Sequence, residues 1–172
     1  MIRLFAALEL PPAIRDGLTA AMGGVAGARW QRDEQLHLTL RYIGEVDRNL
    51  AQDIAAALTQ VNVQPLSLSL TTPGSFDRKG RIDTLWVGVT PRQEVAALAR
   101  RIDQALVRVG VPPLGRAFVP HVTVARFGRT VGDLSGFPLR PLPIAPFTVN
   151  GFALFESRVS HHGSTYSVLA HY

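Results

Sequence analysis

Apolar residues recur along this chain with two different periods. Stretches 2–9, 36–43, 65–71, 82–90, 117–126, 147–156 and 164–170 are short, apolar and rich in β-branched side chains, and they predict strands. Segments of helical period follow three of them. Pro12 to Val25 has a proline near its first turn and ends in Gly-rich sequence. Asp47 to Val61 opens on a capping Asp and sets Leu50, Ile54, Ala57, Leu58 and Val61 on one face. Pro91 to Val109 repeats Val95, Leu98, Ile102, Leu106 and Val109 at helical spacing and stops at Gly110. Strands and helices interleave in both halves, which predicts an α+β domain with its helices packed outside the sheets. Only Gly128 to Pro146, dense in Gly and Pro, reads as loop, and no linker divides residues 1–172.

Composition narrows the class. Hydrophobic residues make up 47% of the 172, enough for a buried interior. No apolar run approaches the roughly 20 residues that span a bilayer. The opening Met1 to Leu8 carries one early cation and is cut short by Glu9 and Pro11-Pro12, so it predicts a first strand rather than a signal peptide. A cytoplasmic protein is expected. The chain has no cysteine, which excludes disulfides, thiolate nucleophiles and Cys-based zinc sites. The net charge is +5, and Lys79 is the only lysine among 18 cations. Arginine suits phosphate because its fork holds two oxygens at once. The cations are dispersed, so the charge permits a polyanionic substrate without requiring one.

The chemistry lies in a pattern that occurs twice. Leu36-His37-Leu38-Thr39-Leu40 stands in the first half and Pro120-His121-Val122-Thr123-Val124 in the second, the histidines 84 residues apart. With 5 His and 11 Thr in the chain, chance supplies about 0.3 His-x-Thr matches. Two matches with the same apolar flanks, half a chain apart, predict an internal duplication. On a strand, His and Thr of each motif share one face while the apolar neighbours bury the other. If the halves pack about a pseudo-twofold axis, two imidazoles face each other across a space the size of a phosphate.

In-line displacement at phosphorus needs that layout. One group takes a proton from the attacking water and another delivers one to the departing oxygen, and histidine suits both tasks near neutral pH. The threonine hydroxyls can donate to the non-bridging oxygens as charge builds there. No metal or other cofactor is implied. Two plainer readings stand beside this one. A single strand histidine is commonly a core or solvated residue, and five histidines also raise a zinc site. However, His37 and His121 have no near-neighbour ligand spacing. His161-His162 read as a turn before the last strand.

These motifs make the sequence resemble the 2H phosphoesterases, and within them the RNA 2′,3′-cyclic phosphodiesterases, also called LigT-like proteins or 2′–5′ RNA ligases. The likeness runs from Arg3-Leu4-Phe5-Ala6-Ala7-Leu8, through Arg41-Tyr42-Ile43-Gly44 after the first motif and Leu85-Trp86-Val87-Gly88, to Ser157, Gly163, Tyr166 and Leu169. Tyr42 and Val124 depart slightly from the family pattern, and Phe76 to Thr84 fits it less well. The resemblance implies two pseudo-symmetric lobes, each an antiparallel sheet with outer helices, around a central cleft. It also implies hydrolysis of an RNA 2′,3′-cyclic phosphate end to a 2′-phosphomonoester, with a reverse 2′–5′ joining activity as the same chemistry backwards. His37 would be the proton donor, His121 the proton acceptor, and Thr39 and Thr123 the phosphate ligands.

Four further residues are candidate substrate contacts. Arg41 shares parity with His37, so an unbroken strand aims it into the cleft. Arg126 has the opposite parity and reaches the cleft only if the strand ends or bulges near Ala125. Tyr166 and Phe76 could stack on a terminal base. Two other functions remain open: a phosphodiesterase acting on 2′–5′ oligonucleotides or small cyclic nucleotides, and a non-catalytic protein that holds RNA ends. In each case the expected partner is RNA or a related nucleotide, and the expected state is a monomer.

Overall fold

The computed structural model describes residues 1–161 and 163–172. Its strands are β1 (Ile2–Glu9), β2 (Ala28–Trp30), β3 (His37–Val46), β4 (Leu66–Arg78), β5 (Arg81–Thr90), β6 (His121–Phe127), β7 (Phe147–Val149), β8 (Ala153–Ser160) and β9 (Gly163–His171). Three α-helices separate them: α1 (Pro12–Ala21), α2 (Arg48–Leu58) and α3 (Arg92–Arg108). The strands form one antiparallel sheet in the order β7-β4-β5-β6-β3-β1-β8-β9, with β2 paired to β6. That order is symmetric about the β3–β6 seam. On one side β1 and β3 are linked through α1, and on the other β5 and β6 are linked through α3.

The helices cover one face. Ile14 and Leu18 of α1, Ile54 and Leu58 of α2, and Leu98, Ile102 and Leu106 of α3 are buried against Leu38, Leu40, Val122 and Val124 of the seam strands. The apolar members of both motifs therefore anchor the core, and period-two alternation turns their polar members to the opposite face. At about 25 cal/mol per Å² of apolar area removed from water, a fully buried Leu contributes about 1.5–3 kcal/mol. Leu38 and Val122 are both fully buried and form the one registered β3–β6 pair. A smaller cluster of Phe5, Ala7, Ala153 and Phe155, with Tyr166 against it, supports the polar face beside β3.

Several elements differ from those expected. Strand β4 does not stop near residue 71 but runs to Arg78, forming a long hairpin with β5 through Lys79 and Gly80. Thr72-Pro73-Gly74 reads as a turn, yet a bulge between Leu70 and Pro73 absorbs it. Gly74 is required there because a Cβ would lie 2.3 Å from the Trp86 indole. Lys79 and Gly80 both adopt positive φ (54° and 74°), the geometry of a tight hairpin turn. Helix α1 ends at Ala21, where Met22 turns extended (φ −70°, ψ 148°) and Gly23 and Gly24 follow at φ 123° and 76°. His161 forms the turn between β8 and β9; His162 lies outside the described residues. Among the described residues no helix is long and apolar enough to cross a membrane.

Candidate active site

The β3–β6 seam carries the two motifs. Leu38 faces Val122 in antiparallel register, which sets His37 abreast of Thr123 and Thr39 abreast of His121. The histidines are then diagonal neighbours, about 7–8 Å apart backbone to backbone. That separation leaves room for a tetrahedral phosphorus between two rings. All four polar side chains line one cavity of about 240 Å³, with Arg126 and Tyr166 beside them.

Each imidazole is held from behind. His121 Nδ1–H donates to the Val119 carbonyl at 2.7 Å, so in the neutral ring Nε2 keeps a free lone pair. His37 bonds to the Gln35 backbone, also two residues upstream, while its Nε2 lies 3.1 Å from Thr39 Oγ1. Gln35 is itself fixed: its amide donates to the Ser164 carbonyl at 2.7 Å and its carbonyl oxygen accepts from the Arg32 N–H at 2.9 Å. Aromatic rings set the tilt. Phe5 and Tyr166 lie 4.9 and 5.2 Å from the His37 ring, Tyr166 edge-on. Phe76 meets the His121 ring edge-on at 4.8 Å, with Trp86 at 5.9 Å.

The electrostatics follow from this packing. Burial pushes the His37 imidazole down to about 4, and the positive charge of Arg126 and the neighbouring His121 add to that. Burial likewise lowers His121, helped by Arg126 and Arg116. Both rings are thus poised to give up protons readily until an anion enters. A bound phosphodiester offsets the arginine charges and raises both.

Of the four less certain residues, Arg126 and Tyr166 reach the cavity, and Arg41 and Phe76 do not line it. Arg41 is a correction. Strand β3 bulges between the Ala7–Thr39 and Ala6–Arg41 pairs, so Leu40 and Arg41 both turn to the core. There the Arg41 guanidinium donates to Asp103 at 2.6 Å and to the Tyr42 and Pro112 carbonyls. The same bulge recurs in β6, between the Trp86–Thr123 and Leu85–Ala125 pairs, and swings Arg126 onto the cavity face. Phe76 packs on Trp86 and on the ring of His121, not on substrate space.

Tyr42, Arg3, Phe5 and Gln35 also line the cavity and were not foreseen there. Tyr42 had a signal: it lies 84 residues before Arg126, so the internal repeat assigns both the same place after the bulge. Among the described residues no group of three or more His, Asp or Glu side chains is gathered closely enough to hold a metal ion.

Removing the Arg126 charge isolates its part. The Arg126→Gln variant is expected to raise KM for a cyclic phosphate by about tenfold and to move the pH optimum upward, since that charge depresses both histidines. Initial rates across pH check it; a raised KM with an unmoved profile contradicts it.

Comparison with known proteins gives a consistent picture. The model of the 2′-5′ RNA ligase superfamily matches residues 10–161. A Thermotoga maritima protein described as an RNA 2′,3′-cyclic phosphodiesterase is 30% identical over 152 residues, 83% of this chain and 78% of that one. An Archaeoglobus fulgidus protein of the same description is 30% identical over 131 residues, 74% of each chain. Escherichia coli LigT, solved with 3′-AMP, shares the fold with a TM-score of 0.79 at 22% identity, covering 99% of this chain and 97% of that one.

Proposed function

Because the chain belongs to the 2′-5′ RNA ligase superfamily, we propose that it hydrolyses the 2′,3′-cyclic phosphate at an RNA end to a 2′-phosphomonoester. The observation that carries this reading is the placement of His37, Thr39, His121 and Thr123 around one cavity, each histidine anchored to a backbone carbonyl two residues upstream. Relatives described as RNA 2′,3′-cyclic phosphodiesterases support the substrate.

His121, with Nδ1–H tied to Val119, presents Nε2 as the base that takes a proton from water. The water oxygen bonds to phosphorus as the bond from phosphorus to the 3′-oxygen breaks. Protonated His37 delivers its proton to that leaving oxygen. Burial keeps the His37 ring neutral in the free protein, and entry of the anionic phosphate raises it toward the protonated form that delivers the proton. Thr39, Thr123 and Arg126 hold the non-bridging oxygens as their charge grows. With a 5′-hydroxyl in the place of water, its oxygen bonding to the cyclic phosphorus as the bond to the 3′-oxygen breaks, the same acid–base pair would leave a 2′–5′ linkage, the joining activity in the superfamily's name. The symmetric strand order about the seam supports reading the chain as one two-lobed domain built by internal duplication.

The test is turnover of a short RNA ending in a 2′,3′-cyclic phosphate, in chelator. Conversion to the 2′-phosphate is expected. No turnover of this RNA, with turnover of 2′–5′ oligonucleotides, would move the substrate assignment. No turnover of either would leave a protein that only binds RNA ends.

The pH dependence has a definite sign. Catalysis needs one neutral and one protonated imidazole, and the free protein holds both rings below their ordinary 6.5. The kcat/KM profile is therefore expected to be a bell centred on the acid side of 6.5, falling about tenfold per pH unit beyond its upper limb. The kcat profile should lie higher, because bound phosphate raises both groups. A kcat/KM that climbs steadily through neutral pH contradicts this.

A further inference from the structure

A second concavity, about 470 Å³, lies between α3 and the segment that leads into β6, lined by Arg92, Gln93, Ala96, Arg100, Phe118 and Val119–Pro120. It adjoins the active site through the chain itself. Pro120 borders the groove and the next residue, His121, borders the cavity; Val119 lines the groove while its carbonyl holds the His121 ring. The groove's charge is unspent. Arg3, Arg15, Arg32, Arg41 and Arg158 are matched with carboxylates, whereas Arg92 and Arg100 have no ion-pair partner among the described residues. Arg92, Ala96 and Arg100 fall on one helix face, placing the two guanidinium groups' backbones about 12 Å apart along it. Ala96 between them keeps the floor open, and half-buried Phe118 offers a ring to the groove.

Arg116 is exposed, lies on the segment that forms the groove wall, and is close enough for its charge to act on His121. Arg126 thus lines the cavity, Arg116 acts on His121 from the segment before β6, and Arg92 and Arg100 line the groove. Unpaired cations spaced beside an aromatic ring suit a single-stranded polyanion, whose phosphates take the charges and whose bases stack.

We propose that this groove binds the single-stranded RNA upstream of the reacting end, so that the substrate is gripped several nucleotides beyond the phosphate being opened. The proposal rests on the reading of the cavity as the site for an RNA 3′ end. It predicts that chain length matters: an oligonucleotide uses both concavities, and a nucleoside 2′,3′-cyclic phosphate uses only one.

The experiment compares wild type with the Arg92→Gln/Arg100→Gln double variant, using a fluorescently labelled hexanucleotide RNA ending in a 2′-phosphate. Both arginines are exposed and unpaired, so the fold has little stake in them. The variant is expected to bind about tenfold more weakly at low salt, and its log Kd against log salt slope to fall by about 1.4, the share of two single-strand phosphate contacts. Hydrolysis of a nucleoside 2′,3′-cyclic phosphate should stay within about twofold of wild type. Unchanged hexanucleotide affinity and slope would overturn the proposal, as would equal losses on hexanucleotide and nucleoside. If wild type hydrolyses neither substrate, the assigned reaction fails, and the binding comparison still decides the groove.

Discussion

Replacing His121 with alanine is expected to lower kcat/KM for an RNA ending in a 2′,3′-cyclic phosphate by a factor of about 10² to 10⁴, the usual share of a positioned acid or base. The loss falls on the chemical step. His121 stands on the cavity face of β6 with its Nδ1–H committed to Val119, so Nε2 is the atom left to meet water. Its neighbours Val122 and Val124, not the imidazole, anchor the strand in the core, so the variant should fold with little change in stability. His37→Ala should lose a similar factor, and the double variant little more than the worse single one, since the two act as a unit. Initial rates with matched melting curves check this. A loss under about tenfold in either single variant would remove that histidine from the chemistry.

Arg41→Met is expected to do the opposite: unsettle the fold and spare the reaction. The Arg41 side chain is only 6% exposed and its partner Asp103 only 25%, and its donors also satisfy the Tyr42 and Pro112 carbonyls. Removing one member of such a buried pair leaves the other uncompensated, at a cost of about 3 kcal/mol or more. For a chain of this size that is a fall in Tm of roughly 6–12 °C. Turnover per folded molecule should remain within a few-fold. An unchanged Tm with a raised KM would return Arg41 to the substrate.

Arg41 also shows where the sequence stops being legible. The polar face of both motifs could be read because period two holds from His37 to Thr39 and from His121 to Thr123. One residue later each strand bulges, at Leu40 and at Val124, and parity inverts. A bulge is a property of how two backbones pair, and Leu40 or Val124 looks the same in sequence whether bulged or not. The conditional reading of Arg126 was the useful clue. If a bulge brings Arg126 to the cavity, the 84-residue repeat implies the same bulge in the first half, which sends Arg41 inward and Tyr42 to the cavity wall. Strand β4 escaped for a related reason: Pro73 and Gly74 carry turn chemistry that a bulge and the Trp86 indole put to another use. Phe5 looks like an ordinary core aromatic in sequence, and only the fold brings it against His37, beside the candidate base-stacking residue Tyr166.

In the proposed mechanism the two histidines divide the proton work, His37 protonating the leaving 3′-oxygen and His121 activating water. A substrate in which sulfur replaces that 3′-oxygen tests the division most directly, because a thiolate departs without a proton. With it, His37→Ala should recover most of the wild-type rate and His121→Ala should remain slow. Rescue of His121→Ala instead would exchange the two roles, and rescue of neither would contradict the acid–base division itself.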